Sequence, residues 1–137
     1  MSDKFAAFGC ALKNDGTAYA GVTNMSGPSL SVDMVDVTSH ASTGAWEESV
    51  ASILRSGDIS LDIVYDPADA THKYAAGGLL YDLVSRTAVA LTLVFSDTAS
   101  TTWSFNAFVT GFTPSMPVGG FLGASVSLKI TGQPTLV

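Results

Sequence analysis

Apolar residues recur at every second position in several stretches of the chain, which is the pattern of half-buried β-strands. Residues 30–38 and 58–65 both follow this period, and residues 39–57 connect them. A connection of about nineteen residues is long for a compact domain and indicates a use outside that domain. The pattern predicts a pair of strands whose long loop and edges contact another molecule.

Three more strands are predicted in the C-terminal half, at 88–95, 102–110 and 122–131, because apolar and polar residues alternate there. Shorter strands at 11–13 and 17–24 flank a turn at residues 14–16. One helix is predicted from Asp66 to Arg86. Asp66 suits the capping position and Pro67 the first helical position, although the central pair of glycines at 77–78 weakens the helix.

Six or seven strands with one helix predict an α+β fold that is mainly β, namely an antiparallel β-sandwich or half-open barrel with one flanking α-helix. A length of 137 residues fits a single domain over residues 1–137. Within it, residues 1–10 are predicted to form an N-terminal arm, residues 39–57 the long loop, and residues 132–137 a C-terminal arm.

The composition narrows the possible partners. Only 13% of the residues are charged, which favours either burial of much of the surface in an assembly or a β-surface rich in Ser and Thr. The net charge of −6 and the scattered positions of the basic residues disfavour tight binding of a nucleic-acid backbone. A single cysteine excludes an internal disulfide framework. No apolar run is long enough to span a bilayer, and no secretion signal is recognisable, so a soluble, cytoplasmically made chain is expected.

Candidate chemistry is sparse. His40 and His72 each follow a hydroxyl residue, but sequence neighbours rarely form a catalytic triad, so both are expected to be solvated or interface histidines. Cys10 and the two histidines lack zinc-ligand spacing, and Asp58 with Asp62 lacks the calcium-loop pattern. We therefore predict a protein that is not an enzyme, with no catalytic residue, no cofactor and no metal. A carboxylate pair for glycoside hydrolysis remains an open alternative.

Trp46, followed by Glu47 and Glu48, is the most prominent aromatic residue of the long loop. A tryptophan there serves either as a sugar-binding surface or as an anchor for a neighbouring subunit, since Trp is enriched at interface hot spots. The first option predicts a monomeric β-sandwich carbohydrate-binding module or glycan-active enzyme. The second predicts a self-assembling structural protein.

Seven short motifs appear in an order and spacing that resemble the major tail tube proteins of long-tailed (siphovirus-type) bacteriophages. The similarity covers residues 10–135. The motifs are GPSLSVD at 27–33, DVTSH at 36–40, WEE at 46–48, GDISL at 57–61, FNAFVTGF at 105–112, MPVGG at 116–120 and VSLKITG at 126–132.

The resemblance implies a structural virion protein that forms six-membered rings stacked into a tail tube. Inner strands of all subunits would form a continuous barrel, and the long loop and the arms would bridge rings. The implied partners are the chain itself, the tape measure, tail tip and tail terminator proteins, and DNA as non-specific cargo, without membrane insertion. Assembly would occur in the host cytoplasm and the product would lie in the virion tail. A contractile tail, a secretion system or a phage-derived particle would use a similar subunit.

An acidic lumen would repel the DNA backbone and let the genome pass. Alternation assigns to that lumen the polar residues Asp33, Asp36, Asp58, Ser60 and Asp62. Inter-subunit contacts are predicted in the loop and the N-terminal arm, at Phe5, Phe8, His40, Trp46, Glu47, Glu48, Leu54 and Arg55.

Overall fold

The computed structural model describes residues 4–14 and 16–136 of the chain. Nine strands, one 3₁₀ turn and one α-helix occur in these residues. In chain order they are β1 (Ala11–Asn14), β2 (Thr17–Ala18), β3 (Val22–Ser26), β4 (Ser31–Asp36), the 3₁₀ turn (Thr43–Ala45), β5 (Ser49–Arg55), β6 (Asp58–Val64), α1 (Leu79–Ser85), β7 (Val89–Val94), β8 (Thr102–Ser115) and β9 (Gly123–Thr135).

Seven strands form one sheet in the order β2-β1-β7-β8-β9-β6-β3, and every pairing in it is antiparallel. The predicted fold class, mainly antiparallel β with one helix, is confirmed. Three strands separate β7 from the edge strand β3 in this order. Val22 and Met25 of β3 nevertheless line the same cavity of about 660 Å³ as Leu93 of β7 and the adjacent Phe95, which shows that the sheet is curved. This curvature corresponds to the predicted half-open barrel.

The core lies on one face of this sheet. Along β6 the buried residues are Ile59, Leu61 and Ile63, which alternate with exposed ones, as the sequence pattern predicted. Leu79 is fully buried in the same core, where α1 packs against β8. The other buried apolar residues of the core are Leu12, Tyr19, Val89, Leu91, Leu93, Phe105, Ala107, Val109, Ala124, Val126, Leu128 and Ile130.

Strands β4 and β5 form a separate two-stranded sheet. The predicted pairing of residues 30–38 with residues 58–65 is therefore wrong, because β4 pairs with β5, whereas β6 pairs with β3 and β9. The predicted loop at 39–57 is also too long, since β5 occupies residues 49–55. The connection that remains covers residues 37–48.

The predicted helix from Asp66 to Arg86 is reduced to the seven residues of α1. The side chains of Asp66 and Asp69 instead accept backbone N–H bonds from Ala68 and Thr71, two residues on, which stabilises turns rather than a helix. Gly77 has a φ of +90°, which ends any helix entering from the N-terminal side. The helix begins only after this glycine pair.

The predicted arms are partly outside the described residues. Residues 1–3 and Val137 are not described, and residues 4–10 contain no strand or helix. At the other end, β9 continues to Thr135, where it pairs with Ser104. The predicted C-terminal arm at 132–137 is therefore wrong for residues 132–135, which extend the sheet.

Candidate functional site

The β4–β5 hairpin, residues 31–55, exposes its side chains to an unusual extent. Every residue of both strands is exposed. The exposed residues include large apolar ones such as Met34, Val35 and Leu54, the last at 81%. A two-stranded hairpin that packs on nothing is at best marginally stable in water. The hairpin is therefore built for contact with a surface other than the core of its own chain.

Both faces of the hairpin are apolar. Val32 lies opposite Leu54 and Val35 lies opposite Val50, and directly opposed residues share a face. Val32 and Val35 are an odd number of residues apart, so the two pairs lie on opposite faces. A bulge in β5 opposite Asp33 makes this possible, because it adds one residue between the two pairs. One flat partner surface cannot cover both faces.

Arg55 and Asp33 form an exposed ion pair at the base of the hairpin. Nη2 and Nε of Arg55 lie 2.8 and 3.1 Å from Oδ2 of Asp33. The hydrogen bond from Arg55 lowers the pKa of Asp33. Both side chains are accessible to water, so the pair contributes little to stability and mainly neutralises the local charge.

The tip of the hairpin, residues 37–48, is held by Thr38. Its hydroxyl donates to Oδ1 of Asp36 at 2.6 Å and accepts the backbone N–H of Glu48 at 2.8 Å. The bond from the Thr38 hydroxyl lowers the pKa of Asp36. The predicted contact residues His40, Trp46, Glu47 and Glu48 are all exposed, Trp46 at 77%. The tip thus presents an aromatic ring beside acidic groups.

A second candidate surface is the outer face of β6 and β9. Asp58, Ser60 and Asp62 alternate along β6 on its exposed side. Asp62 accepts a bond from the Ser125 hydroxyl at 3.2 Å, and Lys129 lies directly opposite Asp58. The face is therefore hydroxyl-rich and only partly acidic.

The five residues predicted to face a lumen do not all come together. Asp58, Ser60 and Asp62 share the outer face of β6, as predicted. Asp33 and Asp36 lie instead on the separate hairpin, where the first binds Arg55 and the second binds Thr38. The prediction grouped them because it paired the wrong strands.

The structure also reveals surfaces that sequence reasoning did not identify. Ser127 and Lys129 of β9 lie on the same outer face of the sheet as Asp58. The alternation of polar and apolar residues in β9 is the sequence pattern that could have revealed this. The apical loop, residues 116–122 between β8 and β9, exposes Met116, Val118 and Phe121. Its signal was a run of apolar residues among Pro and Gly, which are typical of exposed turns.

The predicted contact residues of the N-terminal arm are exposed. Phe8 is 96% exposed, and Phe5 is about half exposed beside a cavity that Cys10 and Trp103 also line. Leu54 and Arg55, predicted as loop contacts, belong to β5 and keep their exposure there. These residues are therefore accessible, and their role as contacts stays a prediction.

His72 is a buried structural residue. Its side chain is 1% exposed, its Nε2 lies 2.6 Å from the carbonyl oxygen of Ala20, and its Nδ1 accepts the N–H of Asp66 at 3.2 Å. Both ring nitrogens are thus engaged by the backbone, and the ring joins the chain before β3 to the segment after β6. The sequence-based view of His72 as a solvated or interface histidine is wrong.

Residues 4–14 and 16–136 lack two kinds of feature, a cluster of metal-ligating side chains and a helix able to span a membrane. No three His, Cys, Asp or Glu side chains in these residues come together as a metal site. Among the helices described there, none has the length and apolar character needed to cross a membrane.

No protein-family model matches the chain, and neither does any curated protein. Solved structures do match. A chain from the virion of a native gene transfer agent particle has a TM-score of 0.74 at 17% identity, covering 93% of this chain and 95% of that chain. A chain from the tail of an empty gene transfer agent particle with C6 symmetry has a TM-score of 0.71 at 18% identity, covering 93% and 94%.

A third match is to a chain of the sheath/tube terminator of the PVC extracellular contractile injection system in the extended state. Its TM-score is 0.74 at 16% identity, and the alignment covers 99% of this chain and 98% of that chain. Identities this low establish the fold. The chain thus has the fold of chains from phage-like tail and injection particles.

Proposed function

We propose that this chain is a non-enzymatic tube subunit of a phage-like tail, and that its copies form hexameric rings stacked into a tube. The observation that carries the proposal is the β4–β5 hairpin, whose side chains are all exposed and whose two faces are both apolar. Such a hairpin gains its missing contacts when neighbouring copies cover it. The shared fold with chains from gene transfer agent and injection particles supports the same conclusion.

The outer face of β6 and β9 lines the tube in this proposal. Asp58 and Asp62 contribute negative charge, and serine hydroxyls cover the surface between them. Negative charge repels a phosphate backbone, so DNA passes as cargo without being held. Asp33 and Asp36 lie on the hairpin and are proposed to lie at contacts between copies instead.

The resemblance to long-tailed phage tube proteins and the fold shared with gene transfer agent particles both agree with a DNA-conducting particle. The tape measure, tail tip and tail terminator proteins are proposed partners. Assembly would take place in the host cytoplasm, with the mature protein in the tail of the particle. A monomeric carbohydrate-binding module remains the alternative from another class.

Sizing chromatography over a concentration series, followed by negative-stain microscopy, tests the proposal. We expect rings or tubes to appear as the concentration rises. A double variant, Met34→Ser with Val50→Ser, alters one exposed residue on each face of the hairpin and should stay monomeric. The matched control Val84→Ser, on the exposed side of α1, should assemble. A wild-type chain that stays monomeric at every concentration would favour the binding module.

A further inference from the structure

The apical loop, which is uncharged, is one of two largely apolar features at opposite ends of the molecule. Its sequence from 116 to 122 contains no charged residue, and Met116, Val118 and Phe121 project from it. Val118 is fully exposed. Exposed apolar side chains clustered on one loop are typical of a contact site.

The second feature is the basal groove, a cavity of about 410 Å³ between the base of the hairpin and the end of β9. Leu30, Leu54, Pro134 and Leu136 provide its apolar lining. Within the part of the chain that the structure describes, Arg55 is the charged residue of the lining, and its guanidinium is already neutralised by Asp33 at 2.8 Å. An apolar side chain can therefore enter the groove without leaving an unpaired charge behind.

The two features are separated by the length of β9. Gly123 adjoins the apical loop and Gly132 lines the basal groove. Nine residues of extended strand span roughly 30 Å, so the two features lie at opposite ends of one sheet and cannot meet within one chain. Two complementary surfaces on different parts of a subunit generate a head-to-tail contact, which repeats without closing if the subunits are stacked.

We propose that the apical loop of one copy sits in the basal groove of the next copy along the tube, with Val118 and its apolar neighbours entering between Leu54 and Leu136. The contact would bury no unpaired charge, because the loop is uncharged and the charge of Arg55 in the groove is paired with Asp33. This inference rests on the proposed tube function and specifies the contact that stacks successive rings.

Disulfide cross-linking tests the contact directly. In a Cys10→Ser background, Val118→Cys is combined with Leu54→Cys or with Leu136→Cys, and the assembled protein is oxidised. We expect a ladder of covalent multimers from at least one pair. A bond within one chain is excluded, since cysteine Cα atoms must lie within about 7 Å of each other.

The matched control combines Val118→Cys with Val84→Cys, which places the second thiol on the exposed side of α1. This control should give no ladder. Tubes that form normally but give no ladder with either test pair would overturn the loop-in-groove contact and leave the proposed function intact. A wild-type chain that forms no rings or tubes would refute the proposed function itself.

A charge in the loop gives a second readout. Val118→Asp should raise the protein concentration needed for tube formation roughly tenfold or more, because a carboxylate would be buried in an apolar groove. Isolated rings should persist, since the substitution affects stacking. Unchanged tube formation by Val118→Asp would contradict the proposal independently of the cross-linking.

Discussion

Asp82 acts electrostatically on Tyr19 in the interior of the fold. Burial, and then the negative charge of Asp82, raises the pKa of the Tyr19 hydroxyl. Among the described residues, neither Oη of Tyr19 nor Oδ2 of Asp82 has a hydrogen-bond partner. Burial likewise raises the pKa of Asp82. A buried carboxylate without a hydrogen-bond partner lowers the stability of the folded state.

Asp82→Asn should stabilise the monomer at neutral pH by about 1 kcal/mol, because it removes a poorly solvated charge. A carboxyl group whose pKa is raised on folding favours the folded state at low pH, and this contribution is lost as the pH rises through the folded pKa. The gain from Asp82→Asn should therefore be larger at pH 7.5 than at pH 3. Thermal unfolding of the wild-type and Asp82→Asn monomers at pH 7.5 and at pH 3 measures this gain in stability.

Asp97 provides a control, because its pKa is shifted in the direction opposite to that of Asp82. Hydrogen bonds from Thr101 lower the pKa of Asp97, so its carboxylate contributes stability above its unfolded pKa and loses that contribution as the pH falls. Asp97→Asn should therefore destabilise at neutral pH and matter less in acid. Equal effects of Asp82→Asn at both pH values would show that its charge is not the cause.

His72→Leu should lower the free energy of unfolding by about 2–4 kcal/mol. It removes two part-buried hydrogen bonds, to the carbonyl oxygen of Ala20 and from the N–H of Asp66, and a polar group that loses its partner away from water costs about 1–3 kcal/mol. Chemical denaturation measures the loss. His40→Leu, at an exposed position, should change stability by less than about 0.5 kcal/mol. Similar losses at both positions would contradict the structural role of His72.

Gly57→Ala should destabilise the base of the hairpin. Gly57 has a φ of +71°, and an added Cβ would collide with the carbonyl oxygen of Ser29. Gly132→Ala is the matched control, because its φ of +77° is similar but nothing lies near the added Cβ. We expect the control to cost about 1 kcal/mol and Gly57→Ala clearly more, measured by thermal unfolding. Equal losses would mean that the contact with Ser29 has no energetic weight.

Trp46→Ala should separate folding from assembly. The ring is 77% exposed, so its loss should change monomer stability by less than about 0.5 kcal/mol. If Trp46 anchors a neighbouring copy, tube formation should fail, because interface tryptophans carry a large share of binding energy. Circular dichroism reports the fold and negative-stain microscopy the tubes. Normal tubes would remove Trp46 from the contact set.

Asp62→Lys tests the proposed lumen. The change places a cation on the outer face of β6, away from Lys129, which lies opposite Asp58. Tubes of this variant should assemble and retain DNA in low-salt co-sedimentation, and release it at high salt. Wild-type tubes should retain none. Asp58→Lys is a less clean test, since two directly opposed cations destabilise a strand pair. Absence of DNA retention by Asp62→Lys tubes would argue against a lumen position.

The sequence predicted strands well where alternation was unbroken. β6 and β9 form where they were predicted, with their predicted buried faces, although β9 extends four residues beyond its predicted end at residue 131. β5 was missed because its bulge breaks the period of two. The helix was overextended because the side chains of Asp66 and Asp69 form turns that resemble a helix start.

The candidate site was less predictable than the fold, because it depends on which distant strands pair. Alternation places Asp33 and Asp58 on polar faces, but it does not reveal that they belong to different sheets. Exposure is equally hidden, since the apolar residues of β4 and β5 look like core residues in the sequence. His72 was misjudged for the converse reason, as its burial depends on backbone partners far along the chain.

The position of the apical loop and the basal groove at opposite ends of β9 has a consequence for growth. A filament built from such subunits is structurally polar: one of its two ends displays only protruding loops, and the other displays only empty clefts. Subunits would then add to the two ends of the filament at different rates, and each end would require a different capping protein. A capping protein would need to imitate only half of the subunit.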